Sequence, residues 1–340
     1  MSNHQHAGVF AQTNEADGNR VIAFRRGADG ALEGMESHET GGAGDGVPHL
    51  TSQGSVVFSG DGTRLLVTNA GSGDVSVFAV GADALELLQT VPSGAAPKSV
   101  AEHDGLVYVV NTGDRSLAGL RLGADGLAPI GHRVDLGAES DPAQVGFTPD
   151  GSTVVVTDRG TDAIALYPVA ADGTLGEPRI QPSSGPTPYG FAFTGDGTLL
   201  VTEAFGAQKG KAAASSYRVS GATATPLSRS VPNGRSEICW AVVSKDERFV
   251  FTTNFADGAV SRYAIGPDGA ISLDSAVAAA TVEGAPGLRD EALTADGGFL
   301  YAIDADAGRI FGWAVGDDGA LDPVGSWGGV PPTVAGLAAS

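Results

Sequence analysis

A short pattern, two apolar runs joined by a Gly-Asp turn and closed by one polar residue, returns along the chain and constrains its architecture more than any other feature. It is plainest in "GFAFTGDGTLLVTEAFG", residues 190–206. It recurs in "VVFSGDGTRLLVTNAGSGDVSVFAV" from Val56, "VGFTPDGSTVVVTDRGTDAIALYPV" from Val145, "AVVSKDERFVFTTNFADGAVSRYAI" from Ala241 and "EALTADGGFLYAIDADAGRIFGWAV" from Glu291. A looser copy starts at Ser99 and a partial one opens the chain. The closing polar residues are Asn14, Asn69, Asn111, Asp158, Glu203, Asn254 and Asp304, spaced 42 to 55 residues apart. Each unit holds four short runs rich in Val, Phe, Leu and Thr, and none shows a helical period long enough for a helix. The pattern predicts an all-β chain, a seven-bladed β-propeller of four-stranded antiparallel blades.

The 51 glycines fit that expectation, because tight hairpins need positive φ, as in "GADG" at 27–30 and "GPDG" at 266–269. The chain opens on what reads as the second strand of a blade and finishes with "GVPPTVAGLAAS", which resembles the first strands elsewhere. A C-terminal strand is therefore expected to complete the N-terminal blade and remove the open edge. Residues 1–340 read as one propeller domain, with about seven frayed residues at the start.

Forty acidic residues against twenty basic give a net charge of −20, which disfavours nucleic acid and anionic membrane surfaces as partners. No leader-like or membrane-spanning apolar run is present, and one cysteine, Cys239, excludes an internal disulfide. The expectation is a cytoplasmic monomer acting on a small molecule.

Short DG turns should join strands a to b and c to d on one face, leaving the longer connections on the other, where an axial funnel opens. Residues that begin each strand a point there: His49 to Gln53, Lys98, Asp141 to Gln144, Tyr189, Arg235 to Glu237, and Arg289 with Asp290. Asn and Asp at the blade-end positions suit turn chemistry, accepting backbone N–H groups two residues on. Glu203 does this poorly because its side chain is longer, so it stands out as a functional candidate. The connection after it, "AFGAQKGKAAASS", is the longest of its kind and carries Lys209 and Lys211.

From end to end, the blades resemble those of the lactonase family of seven-bladed propellers, which includes 6-phosphogluconolactonases and carboxymuconate cyclases. The resemblance implies a carboxylate or imidazole that handles protons and arginines that hold the acid group of a small anionic lactone. Glu203 matches the family's blade-end glutamate, and Arg289 with Asp290 matches its Arg-Asp pair. These three are the catalytic candidates; Arg235, Glu237, Tyr189, His49 and Gln144 are the substrate-binding ones. The family's HPH motif aligns with Asp141-Pro142-Ala143, its GPRH motif with Thr187-Pro188-Tyr189-Gly190, and the arginine of its SNR motif with Phe255, so five of its polar groups are missing here. That loss keeps a second reading open, a non-catalytic propeller binding a ligand or protein through the same face. No cofactor is implied; a divalent cation held by Glu203, Asp158 and neighbouring Asn residues is the metal site the residue types allow.

Overall fold

The computed structural model describes residues 7–47, 53–81, 84–282 and 284–340. Seven four-stranded antiparallel sheets are arranged as blades 1 to 7, as the repeat requires. The innermost strands, from blade 2 onward, are Val56–Phe58, Pro97–His103, Pro142–Phe147, Pro188–Phe193, Ile238–Val243 and Leu288–Leu293. Blade 1 takes its innermost strand from the C-terminus: Gly336–Ala339 pairs antiparallel with Gly8–Gln12, so the ring closes as the sequence implies. His49, one of the candidates, lies outside the described residues.

The second strand of each blade is a continuous apolar run because both of its faces are covered by neighbouring blades. In Thr198–Glu203 every residue is buried, with Leu199 and Val201 packed toward blade 4 and Leu200 toward blade 6. Fully burying one such side chain contributes roughly 1.5–3 kcal/mol. The outermost strands face water, and their burial falls accordingly, as in Gly126–Asp135. Two buried tyrosines fasten one blade to the next: Tyr108 Oη donates to Gly173 O and Tyr301 Oη to Gly30 O, each at 2.7 Å.

The DG turns between inner and second strands are built alike. The hydroxyl of Ser59, Thr148, Thr194, Ser244 or Thr294 donates to the aspartate two residues on, at 2.5 to 2.7 Å. The same carboxylates accept backbone N–H groups inside the turn, for example Thr63 N on Asp61 and Thr198 N on Asp196. These hydrogen bonds favour the charged form, and Asp61 and Asp150 are held below the usual carboxylate range chiefly by their Ser59 and Thr148 partners. The aspartates are turn chemistry, and they lie on the face away from the funnel.

Candidate functional site

The seven blade-end residues do more than start turns. Asn69, Asn111 and Asn254 each donate Nδ2 to a serine hydroxyl on the third strand of their own blade: Ser76 at 2.7 Å, Ser116 at 3.3 Å and Ser261 at 2.9 Å. Their Oδ1 atoms accept from the connector leaving the preceding blade, from Thr40, Ser93 and Asn233. Asp304 accepts from Thr281 in the same way. The expected local turn bond is seen at Asp158, whose Oδ1 accepts Gly160 N at 2.9 Å. At blades 2, 3, 6 and 7 the side chain latches neighbouring blades together, whereas Asn14 binds Asp45 and Val47 on the connector leaving its own blade.

Glu203 is a member of this latch series. It is fully buried, and its Oε1 accepts from Ser215 Oγ at 2.6 Å, Gly185 N at 2.9 Å and Ser183 Oγ at 3.4 Å. Its Oε2 accepts from Ser230 Oγ at 2.7 Å. Burial raises its pKa, and these four donors oppose the rise. Side chains alternate along a strand, and the preceding residue, Thr202, turns to blade 6 and donates to Cys239 O at 2.7 Å. Glu203 therefore sits in the seam between blades 4 and 5. Asp158, its proposed metal partner, spends its own Oδ1 on the backbone of Asp141 and Gly160. Among the described residues no group of three or more His, Cys, Asp or Glu is placed to hold a metal ion.

Two other candidates are also committed to the frame. The inner strands of blades 4, 5 and 1 each present a backbone N–H to the blade before it, and that blade answers with a side chain. Ser99 Oγ accepts Val145 N, Gln144 Oε1 accepts Phe191 N, and Asp290 Oδ2 accepts Leu337 N. Blade 5 has Gly190 at this place and can offer nothing. Gln53 instead reaches across the axis from blade 2, accepting from Ala241 N at 3.1 Å and donating to Ala241 O at 2.9 Å. A Cβ on Gly190 would stand 2.3 Å from Gln53 Oε1 and 2.4 Å from Cys239 O, so only glycine lets this bolt close. Gln53 also borders a cavity of about 310 Å³ in the axial channel, lined by Phe58, Val100, Glu102, Asp290 and Leu337 among others.

The chemistry-bearing groups that remain converge at the starts of the inner strands of blades 4 to 7. Tyr189, Trp240, Cys239, Ala143 and Ala204 form a buried floor, with Phe255 packed against it. Arg289 stands over the Phe255 ring at 5.7 Å. It is 3 % exposed, its one ion pair is a loose 3.7 Å contact from Nη2 to Asp306, and Nε and Nη1 find no acceptor among the described residues. Burial draws its pKa down, and Asp306 and Asp304 restore part of the loss. Arg235 likewise keeps a buried Nε with no acceptor among the described residues. Glu237 is part-exposed and held in the left-handed region at φ 55, a strained setting for a non-glycine residue. Burial, and then the Asp257 charge, push its pKa up. It acts electrostatically on Tyr189 and Cys239, which places it beside the same floor. Burial keeps the Tyr189 phenol protonated.

A family profile described as Lactonase, 7-bladed beta-propeller matches residues 127–208 and 202–334, more than half of the chain. The chain belongs to this lactonase family. Solved structures agree on the fold. The periplasmic gluconolactonase PpgL of Pseudomonas aeruginosa is 21% identical over 97% of this chain and 98% of its own, with a TM-score of 0.75. A protein of Bacteroides fragilis proposed to be a 6-phosphogluconolactonase is 19% identical over 99% of each chain, TM-score 0.72. A Lactobacillus plantarum protein is 18% identical over 98% of each chain, TM-score 0.76. No curated protein matches the sequence.

In this lactonase-family propeller, then, Arg289, Glu237 and Tyr189 border one floor, while Arg235 is half-buried on the connector entering blade 6. Glu203, Asp290 and Gln144 are bound into the frame. Lys209 and Lys211 stand exposed on their loop, which is tied down by Gly206 N to Thr187 Oγ1 and Gly210 N to Ser236 Oγ. One funnel residue has no counterpart among the sequence candidates: Arg159, whose guanidinium lies 4.9 Å from the Tyr189 ring centre. Its signal in the sequence was only its position, directly after the blade-end Asp158.

Proposed function

We propose that this lactonase-family propeller hydrolyses a small lactone carrying an acid group, bound in the funnel over Tyr189 and Phe255. The observation that carries the reading is Arg289: a buried guanidinium with two nitrogens lacking an acceptor is costly unless a ligand supplies one. Arginine's fixed fork suits a carboxylate or phosphate. Glu237 handles the proton. It takes one from the water attacking the ring carbonyl and returns it to the alkoxide that leaves when the ring C–O bond breaks. Its raised pKa brings it nearer neutral pH, where a group can both accept and give a proton. Glu203 supports this reading less well, since it is fully buried in the seam and already accepts four hydrogen bonds there.

The test is turnover of a panel of lactones with and without an acid substituent. Glu237→Gln is expected to lower kcat about 100-fold with little change in KM. Arg289→Gln is expected to raise KM for the acid-bearing members alone. Wild-type rates in Glu237→Gln would remove that residue from the mechanism. Absence of turnover on every lactone would move the protein to the binding class.

A further inference from the structure

Arg159 extends from the end of the second strand of blade 4, Thr153–Asp158, and its inner edge rests on the Tyr189 ring. Its outer edge holds Asp141 through one nitrogen, with Nη2 donating to both Oδ1 and Oδ2 at 2.8 Å. The two partners differ in exposure: the Arg159 side chain is 15% accessible and that of Asp141 54%. One is fixed against the floor, while the other is a carboxylate on the solvent side, laid on a guanidinium that faces the funnel. Arg159 lies on the Tyr189 ring and Arg289 on Phe255, which packs against the same floor, so the two guanidiniums flank it from blades 4 and 7. Each has an exposed aspartate on its outer side, Asp141 for Arg159 and Asp306 for Arg289.

An ion pair with one exposed partner contributes little, because water and salt compete for the exposed charge. A guanidinium stacked on an aromatic ring stays in place when its carboxylate leaves. We propose that Arg159 is a second acid-binding arm of the funnel and that Asp141 is its resident carboxylate, displaced when the acid group of a ligand enters. The ligand group is a carboxylate or a phosphate ester, either of which can accept from the Nη2 that Asp141 now holds. Asp141 thereby sets affinity without touching the reacting atoms: it competes with the ligand for Arg159. Arg159's pKa accords with this resident counter-ion. Burial draws it down, but Tyr189 and then Asp141 hold it above the ordinary value, whereas that of Arg289 lies below.

The inference rests on the funnel being an acid-binding site, and the experiment separates the two claims. Binding of succinate and of inorganic phosphate is measured by calorimetry at fixed ionic strength, with no turnover required. Asp141→Asn is expected to tighten binding of at least one probe by up to about fivefold, the equivalent of the lost competitor. Arg159→Gln, alone or with Asp141→Asn, is expected to bind more weakly than the wild type. Asp104→Asn removes the same charge from a 98% exposed position on the opposite face and is expected to change nothing. Asp141→Ser serves as the second variant should the amide disturb folding. If Arg289→Gln weakens binding while neither Asp141 variant tightens it, the resident-carboxylate proposal is overturned and the funnel reading stands. If the wild type and the Asp141 variants bind neither probe, both fall. Which probe gains distinguishes a carboxylate site from a phosphate site.

Discussion

Glu203 and Glu291 are both withdrawn from water in seams between blades, and they are held by opposite means. Glu203 accepts four hydrogen bonds, from three serine hydroxyls and one backbone N–H. Glu291 is 2% exposed, and neither of its carboxyl oxygens meets a donor among the described residues. It pairs with the residue two before its blade's end, Ala302; the residues so paired in blades 2 to 6 are Val56, Val100, Val145, Phe191 and Ala241. One seam is designed around a carboxylate, and the other has a carboxyl where the pattern puts an apolar side chain. Glu291 answers by keeping its proton: burial, and then the neighbouring Asp290, raise its pKa well above the usual value. Asp290 is itself pushed up to about 8 by burial, against the pull of its Leu337 and Glu291 N–H donors. Burial and a poorly matched pocket thus do not by themselves mark a functional acid, and neither does full hydrogen bonding.

The comparison breaks first at Glu203. Replacing it with alanine strands the buried Ser215 hydroxyl and Gly185 N, while the half-buried Ser183 and Ser230 lose a partner that water can in part replace. The expected loss is about 3 kcal/mol, since each orphaned buried group costs about 1–3 kcal/mol and neighbouring losses overlap. A urea midpoint within experimental error of the wild type would show that the latch holds nothing.

Glu291 should respond in the other direction. Glu291→Val gives blade 7 the side chain that blades 2, 3 and 4 carry, and removes a buried group with no donor, so about 2 kcal/mol of added stability is expected at pH 7. The pH dependence sharpens this. The unfolded chain gives up these protons near pH 4 to 4.5, whereas the folded chain keeps the Asp290 proton to about pH 8. The folded state binds more protons in between, so stability falls as pH rises from about 4.5 to about 8. The depressed turn aspartates, such as Asp61 and Asp150, act below this window and in the opposite sense. Urea midpoints from pH 5 to 8 should slope downward in the wild type and less steeply in Glu291→Val. An identical slope in the two proteins would mean that Glu291 titrates normally.

What the sequence made legible follows from which residues act locally. Blade number, turn chemistry and ring closure depend on neighbours along the chain, and "TGDG" or "VPPTVAGLAAS" announces them. The frame of the channel does not, because Gln53 is joined to Ala241 from 188 residues away, and the local trace is a glycine, Gly190, at a place where blade 1 also has Gly336 and the other five carry Ser, Gln, Trp or Asp. Arg159 escaped notice for the same reason, since its stacking partner Tyr189 lies on the next blade. The resemblance of Glu203 to a family glutamate was a match of position, and position could not say that three serines would close around it.

The smallest effect asked of this comparison is the most informative about chemistry. Glu203→Gln keeps the size and one acceptor oxygen, which can still take Ser215 Oγ and Gly185 N. Its amide group faces Ser230, whose hydroxyl can turn from donor to acceptor. The expected cost is therefore about 1 kcal/mol, well under that of Glu203→Ala. If Glu237 is the proton-handling group, a folded Glu203→Gln enzyme also keeps its kcat and its pH profile. A variant as stable as expected but with kcat lowered about 100-fold would return the acid/base role to Glu203. The latch would then have to open during turnover, freeing Oε2 from Ser230 and bringing a seam carboxylate to the funnel.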